Sequence, residues 1–320
     1  MGSDEEFTRR CFRGFAAFVR SRNTSNFFGT GISNPPGVCC VGSSSSCCVL
    51  IVSPRRRGIC IFCGGGPTTE EHAIPDWASR LLHHHGPFLE TVSGRPDRIT
   101  PKIKLTTNSV CDPCNTGWMH DLEDAVSPLL KPMIERPPAS GWVQLNQQRQ
   151  RAVALWALKT SFTLDQALPG IPDFPDWVRS RLWQDQEVGT NVAVWLAAYA
   201  GQRHAIRVTR KSFIDKEDLV IGKDGERNRF PTDQAVSVTL TLRRVVVQTF
   251  VYYGKGFAQL NLNSPWDAGL IRVWPEPDRV ALWPKHKLAF DDAKLWEFAH
   301  RGDHTTAHYI PELPPRHPLQ

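Results

Sequence analysis

Long apolar runs are missing from this 320-residue chain. The longest near its start, Cys47 to Val52, falls far short of the roughly 20 residues that a membrane-spanning helix needs, so no span is expected. A basic opening segment is missing too. Asp4, Glu5 and Glu6 stand where a secretory signal would carry positive charge, and Arg13 breaks the next apolar stretch. Internal repeats are absent. With neither span nor export signal, the expected location is the cytoplasm, where a reducing thiol pool leaves cysteines free for metal.

Extremes of composition are also lacking. A hydrophobic fraction of 41% and a charged fraction of 22% fit an ordinary globular protein, and the length has room for two domains. The net charge of +6, with a pI near 8.9, favours an anionic partner such as nucleic acid but is too mild to identify one.

The composition divides the chain. Residues 1–57 combine Ser-rich and Gly-rich tracts, Asn34-Pro35-Pro36-Gly37, an Arg55-Arg56-Arg57 run and the vicinal pairs Cys39/Cys40 and Cys47/Cys48. This reads as a disordered leader or a start codon placed too far upstream. The adjacent cysteines lack the two-residue spacer that aims two thiolates at one ion, although acylation there would tether the chain to a membrane.

From Gly58 the pattern becomes that of a folded protein. Gly58 to Cys63 reads as a short strand entering the Gly64-Gly65-Gly66-Pro67 turn, Pro75 to Leu82 as a helix, and the stretch through Gly94-Arg95-Pro96 as a polar connector. A further helix is expected after Cys114, with Trp118, Leu122 and Ala125 on one face. Beyond Pro137-Pro138, helices are predicted over Arg149 to Gln166, where Val153, Trp156, Ala157, Thr160 and Ser161 share a face, and over Asp176 to Trp183. Asn191 to Ala200, His204 to Thr209 and Ala235 to Tyr253 then read as an antiparallel meander. Pro275 and Pro284, each after a tryptophan, argue for edge strands or extended segments rather than a central strand, and a final helix is expected from Asp291-Asp292 through His300.

Two Cys-x-x-Cys pairs carry the strongest chemical signal: Cys60/Cys63 and Cys111/Cys114. Four thiolates in two such pairs can close a tetrahedral structural zinc site. The stretch between the pairs is longer than the roughly 15 to 20 residues usual in compact zinc modules. The extra loop-closure cost, about 1 kcal/mol, is small beside a zinc-binding free energy of roughly 10 to 16 kcal/mol.

Between the pairs lies Glu71-His72, and Asn115 directly follows the second. Phosphodiester hydrolysis needs a base for water and a cation on the phosphate. His72 can be the base. Glu71 and the Asn115 amide carbonyl offer hard oxygen ligands for Mg²⁺ or Mn²⁺, and Asn108 can brace the loop carrying His72 by hydrogen bonds to backbone.

Cys60-x-x-Cys63, Glu71-His72-x-x-Pro75, Asn108 and Cys111-x-x-Cys114-Asn115 together resemble the HNH endonucleases in their zinc-stapled form. The resemblance implies a ββα-metal finger, HNH or treble-clef-like. In it His72 is the general base, Glu71 the metal-binding acid before it, Asn108 the middle Asn, Asn115 the last residue on the metal side, and the four cysteines hold structural zinc. Two features depart from the family: Glu71 replaces the usual Asp, and the stretch from His72 to Asn108 is long. Gly117-Trp118-Met119-x-x-Leu122-Glu123, with Trp274-Pro275 and Trp283-Pro284, is similar to a group of bacterial proteins carrying HNH-like modules. The motif covers only residues 60 to about 125.

The expected architecture is thus α+β: a zinc module over 58–138, then a helical segment and antiparallel β-meander domain over 139–310, with 311–320 a tail. The expected activity is metal-dependent cleavage of nucleic acid, DNA first, with zinc as structural and Mg²⁺ or Mn²⁺ as catalytic cofactor. The competing expectation is a noncatalytic zinc module that binds nucleic acid or protein.

Other residues have plainer readings. His120 is a secondary candidate but reads as a solvated helix histidine, and His83, His84 and His85 as a run at a helix end. His300, His304 and His308 read as tail because Gly302 and Thr305-Thr306 interrupt any shared helix. Arg243-Arg244 and the Arg207 to Lys211 segment could line a phosphate groove or simply sit on exposed strand faces. Trp156 and Trp195 read as core.

Overall fold

The computed structural model describes residues 58–82, 88–90, 98–168, 170, 172–201, 206–214, 233–253, 257–262, 268–275, 277–300 and 305–310. The leader with its vicinal cysteines, the His83–His85 run, Gly94-Arg95-Pro96, His304 and the tail at 311–320 lie outside them. The architecture is α+β, and all named strand pairs are antiparallel.

The cysteine-bearing region starts without the expected strand. Gly58 to Pro67 is a run of turns, held by Cys60 N–H donating to Gly65 O (2.6 Å) and Gly64 N–H donating to Cys60 O (3.0 Å). The backbone closes on itself there to gather thiols, so no ladder can form. The first strand, β1 (Thr68–His72), follows and pairs with β4 (Thr106–Cys111). Between them come α1 (Asp76–Leu82) and two short paired strands, β2 (Phe88–Glu90) and β3 (Arg98–Thr100), so the presumed polar connector contains a small ribbon.

Cys111 leads into a single helical turn, Asp112–Cys114, which widens to a π-turn over Asn115–Met119 and continues as α2 (His120–Glu135). The kink has an identifiable cause: Gly117 leaves helical backbone at φ −94°, ψ −117°. Pro128 and Pro132 sit inside α2. The carbonyl that Pro128 leaves without a helical partner belongs to Asp124, and both residues are exposed, so water can satisfy it.

Next come β5 (Val143–Asn146) and α3 (Gln147–Ala167), opened by the Asn146 side chain accepting from Arg149 N–H at 2.9 Å. The predicted face of α3 is buried, but so are its other sides: Lys159, Phe162, Thr163, Leu164 and Asp165 are 0% exposed. This helix is the axis of the molecule, packed on β4 and α2 and also on the large sheet. Its buried hydroxyls are accommodated by back-bonding, Ser161 to Ala157 O (2.7 Å) and Thr163 to Thr160 O (2.9 Å).

After α4 (Asp176–Asp185), the sheet is assembled from β6 (Val192–Ala198), β7 (Ile206–Ile214), β8 (Asp233–Leu242), β9 (Val245–Tyr252) and, past β10 (Phe257–Leu262), β11 (Ile271–Trp274). Its strand order is β11-β6-β9-β8-β7. Three consecutive strands are the expected meander, whereas β6 enters on the far side of β9 with β11 outside it. The edge position read from Pro275 holds. β12 (Val280–Trp283), followed by Pro284, pairs with β5 in a ribbon of its own.

Every residue of β6 is buried. Val192, Val194, Leu196 and Ala198 face the core shared with α3, while Ala193, Trp195 and Ala197 join Phe298 and Leu295 of α5 (Asp292–His300) in a second core. Helix, sheet, helix is therefore the layering. The first core runs without interruption from Cys60 and Phe62 through α3 to Trp283, so the cysteine-bearing region and the sheet share one interior. β13 (Thr305–Ile310) pairs with β10, which places His308 in a strand rather than a tail. No helix among the described residues is long and apolar enough to cross a membrane.

Candidate metal centre and active site

Four sulfurs converge. The Sγ atoms of Cys60, Cys63, Cys111 and Cys114 all lie within 4.8 Å of one another, with Cys63 and Cys111 at 3.5 Å, and none is in a disulfide. A tetrahedral zinc site requires sulfur separations of about 3.8 Å, so this donor set can hold a metal ion such as zinc. The turns of Gly58–Pro67 supply the first pair, and the end of β4 with its helical turn supplies the second. Phe62 and Trp118 lock the two halves together edge to face, with ring centres 5.2 Å apart.

Electrostatics inside the cluster are those of thiols crowded in a buried space. Cys60 is pulled down to about 4, chiefly by the hydrogen bond from Cys114, with backbone N–H groups adding to it. Burial pushes Cys111 up to about 11, and the neighbouring Cys60 thiolate with burial drives Cys114 far above the ordinary thiol value. The surroundings thus stabilise one thiolate, and ionising Cys111 and Cys114 at neutral pH requires a cation at the centre.

A second polar cluster lies beside the first. Glu71, on β1, is 7% exposed, and the Asn115 side chain lies close enough to ease the charge on its carboxylate. Cys114 and Asn115 are consecutive, so the turn that delivers the fourth sulfur also delivers the carboxamide. Desolvation raises Glu71 to about 7, opposed by Lys159 and reinforced by Glu123. Lys159, on α3, places Nζ 2.5 Å from Glu123 Oε1, on α2.

His72 and Asn108 take different positions. Strand alternation turns Glu71 inward and leaves its neighbours outward: Glu70 is exposed, paired with Lys104 at 2.8 Å, and His72 is half-buried within electrostatic reach of Glu70. Asn108 is exposed at a bulge, where β4 spends two residues, Asn108 and Ser109, opposite Glu70. The His72 end is held by backbone: His72 pairs with Thr106, and Ala73 N–H donates to Leu105 O at 2.9 Å. Glu71 and Asn115 therefore meet, with His72 adjacent on the other side of the strand.

Lys159 was not read from the sequence as a site residue. Its signal is the one charged residue between Val153 and Leu164, a stretch otherwise of apolar and hydroxyl side chains, where burial without a partner is forbidding. His120 is exposed and 3.6 Å from Asp124, in keeping with a solvated helix histidine. Arg210 is engaged by Asp165 at 2.8 Å and Asp173 at 3.0 Å, which removes it from the proposed phosphate groove. Arg243 and Arg244 form the β8–β9 turn, where Arg243 adopts φ +49°. Among the described residues no second group of three or more His, Cys, Asp and Glu side chains converges as the cysteines do.

No family model, curated protein or solved structure matches the chain.

Proposed function

We propose that the protein is a zinc-stapled, HNH-type endonuclease that hydrolyses phosphodiester bonds of nucleic acid, with DNA as the first substrate to test. In this reading residues 60–125 are a ββα-metal, treble-clef-like finger. Cys60, Cys63, Cys111 and Cys114 hold zinc as a staple, and Glu71 with Asn115 would hold Mg²⁺ or Mn²⁺. His72, half-buried on the other side of the strand from Glu71, is taken as the base on the resemblance alone and would accept the proton of the attacking water. Asn108 stands on the bulge beside the His72 segment. A cation bound there would offset charge on the phosphate and the leaving oxygen. A thiolate zinc site fits a reducing compartment such as the cytoplasm.

The observation that carries this reading is the convergence of the four sulfurs, with the buried carboxylate of Glu71 on the strand that leads from the first pair. Glu71 is buried while Lys159 is paired to Glu123, so its carboxylate lacks a full positive counter-charge. A hard cation satisfies that deficit with the oxygen donors present. The test is nicking of a supercoiled plasmid with Mg²⁺ or Mn²⁺, comparing the wild-type chain with His72→Ala and Glu71→Gln. Loss of cleavage in both variants, with zinc content unchanged, supports the assignment, and equal cleavage by His72→Ala removes His72 as the base.

One observation favours a second reading, a noncatalytic zinc module that binds nucleic acid or protein. Glu71 is 7% exposed and lies beside the ammonium of Lys159, an arrangement that can persist without a second cation. Metal analysis separates the two: one tightly held zinc, with no response of binding or cleavage to added Mg²⁺ or Mn²⁺, selects the binding module.

A further inference from the structure

We infer that Cys63 is a modification site, the peroxide-reactive corner of the sulfur cluster: hydrogen peroxide oxidises it, and it then forms a disulfide with Cys111 that unmakes the metal site. The inference rests on the zinc reading of the four cysteines and adds a reversible modification to it, whichever of the two functions above the chain performs.

Three observations support it. Cys60, Cys111 and Cys114 are 2%, 4% and 3% exposed, whereas Cys63 is half-buried, so a small polar oxidant meets one sulfur of the four before the others. Gly65 N–H donates to Cys63 Sγ at 3.3 Å and holds that sulfur at the rim. Cys111 Sγ, at the end of β4, lies 3.5 Å from Cys63 Sγ, and neither is in a disulfide. A disulfide bond is about 2.05 Å long, so the two sulfurs need to approach by roughly 1.5 Å.

As a zinc ligand Cys63 is a thiolate, the nucleophilic form of the side chain. Its sulfur attacks one oxygen of hydrogen peroxide. An S–O bond forms, the O–O bond breaks, and the departing hydroxide takes a proton and leaves as water. The Cys111 thiolate then attacks the Cys63 sulfur, so that an S–S bond forms, the S–O bond breaks, and a second hydroxide takes a proton and leaves as water. Two electrons pass from the two thiolates to the peroxide. Cys60 and Cys114 alone are half of a tetrahedral donor set and do not retain the ion. The new bond joins the Gly58–Pro67 turns to the end of β4, the two segments whose sulfurs form the site, and Ile61 N–H donating to Ser109 O at 2.9 Å keeps them in register. Oxidation therefore exchanges a metal staple for a covalent one, which a thiol reductant reverses.

The experiment treats the full, zinc-loaded chain with hydrogen peroxide and follows zinc release with a chromophoric chelator. The remaining thiols are then alkylated, and the disulfides are mapped by peptide mass spectrometry. The comparison is C63H, which keeps a zinc ligand at the position but no thiol. The expected result is zinc release from the wild type together with a bond between the Cys63 and Cys111 peptides, both reversed by dithiothreitol and added zinc. C63H should release zinc roughly ten-fold or more slowly. Release from C63H as fast as from the wild type overturns the proposal. So does a map in which Cys63 is joined mainly to Cys60, or to a cysteine before residue 58. If C63H does not retain zinc, timed iodoacetamide labelling of the wild type decides: Cys63 should be labelled before Cys60, Cys111 and Cys114, and labelling of all four at one rate overturns its role. A chain that binds no zinc overturns the zinc reading itself, and the disulfide map of the peroxide-treated chain still decides for or against Cys63.

Discussion

Lys159 Nζ and Glu123 Oε1 are 2.5 Å apart, joining the central helix α3 to α2 through a lysine that has no solvent exposure. Because Glu123 is thereby paired, Glu71 is the carboxylate of the cluster with an unbalanced charge. Asn115, a neutral group, eases that charge without cancelling it.

Stability should therefore depend on pH through Glu71. Burial raises its folded-state value from 4.5 to about 7. Below pH 4.5 the group is protonated in both states and imposes no cost. Between pH 4.5 and 7 the unfolded chain ionises first, so stability falls as pH rises, by on the order of 3 kcal/mol in total, and levels off above 7. Glu71→Gln should lack this component. Without added divalent cation, denaturant titrations should find the variant more stable than the wild type at pH 8 and the two alike near pH 4.5. A constant difference across that range would show that Glu71 does not titrate in this window.

Removing one zinc-side sulfur should unfold the finger first. Cys114 is 3% exposed among three other thiols, and Cys114→Ser leaves a smaller, harder donor that cannot complete a thiolate tetrahedron. The expected outcome is loss of most bound zinc by elemental analysis, with a fall in thermal midpoint that added zinc does not reverse. A chelator strong enough to strip wild-type zinc should reproduce the effect. Full zinc content in the variant would mean that the four sulfurs do not act as one site.

Much of this was legible in the sequence where a local rule decides the outcome. The two Cys-x-x-Cys pairs announced the sulfur cluster because each short loop can only bring its own two thiols together. Pro275 and Pro284 marked edge strands because proline cannot donate to a ladder. The strand expected at Gly58–Cys63 failed because alternation of apolar and thiol residues mimics a strand, while thiol gathering demands turns. Lys159 was hidden for a different reason. Its partners, Glu123 and Glu71, come from separate elements, and helical periodicity on α3 describes one face when packing buries nearly all of them. The same tertiary origin conceals the position of β6, whose neighbours β9 and β11 are distant in the chain.

Gly66 should be intolerant of a side chain. A Cβ there would stand 2.3 Å from the carbonyl oxygen of Gly58, a backbone atom that can move only if the turn opens. That turn carries Cys60 and Cys63. Gly66→Ala is expected to weaken zinc retention in a competition titration with a chromophoric chelator. Equal zinc affinity in wild type and Gly66→Ala would show that the turn can relax without spreading its sulfurs.

The strongest structural dependence outside the metal centre should be on Asp165. Near the end of α3, and 0% exposed, its carboxylate accepts from the backbone N–H groups of Asp173 (3.0 Å) and Phe174 (3.3 Å), is bonded by Arg210 at 2.8 Å, and lies 3.8 Å from Arg179. It thus ties α3 to β7, to the loop before α4 and to α4 itself. Asp165→Ala removes the shared acceptor of two backbone N–H groups and takes one carboxylate from each of two arginines, 5% and 15% exposed, leaving Arg210 with Asp173 and Arg179 with Asp176. A loss of about 3 to 5 kcal/mol in unfolding free energy is expected, measured by urea titration. Asp165→Asn keeps an acceptor for the two backbone donors, so its loss should be smaller. Because no cysteine belongs to this network, zinc content at temperatures below the melting transition should be the same as in the wild type. A loss under 1 kcal/mol in Asp165→Ala would mean that Asp173, already 3.0 Å from Arg210, takes over the pairing.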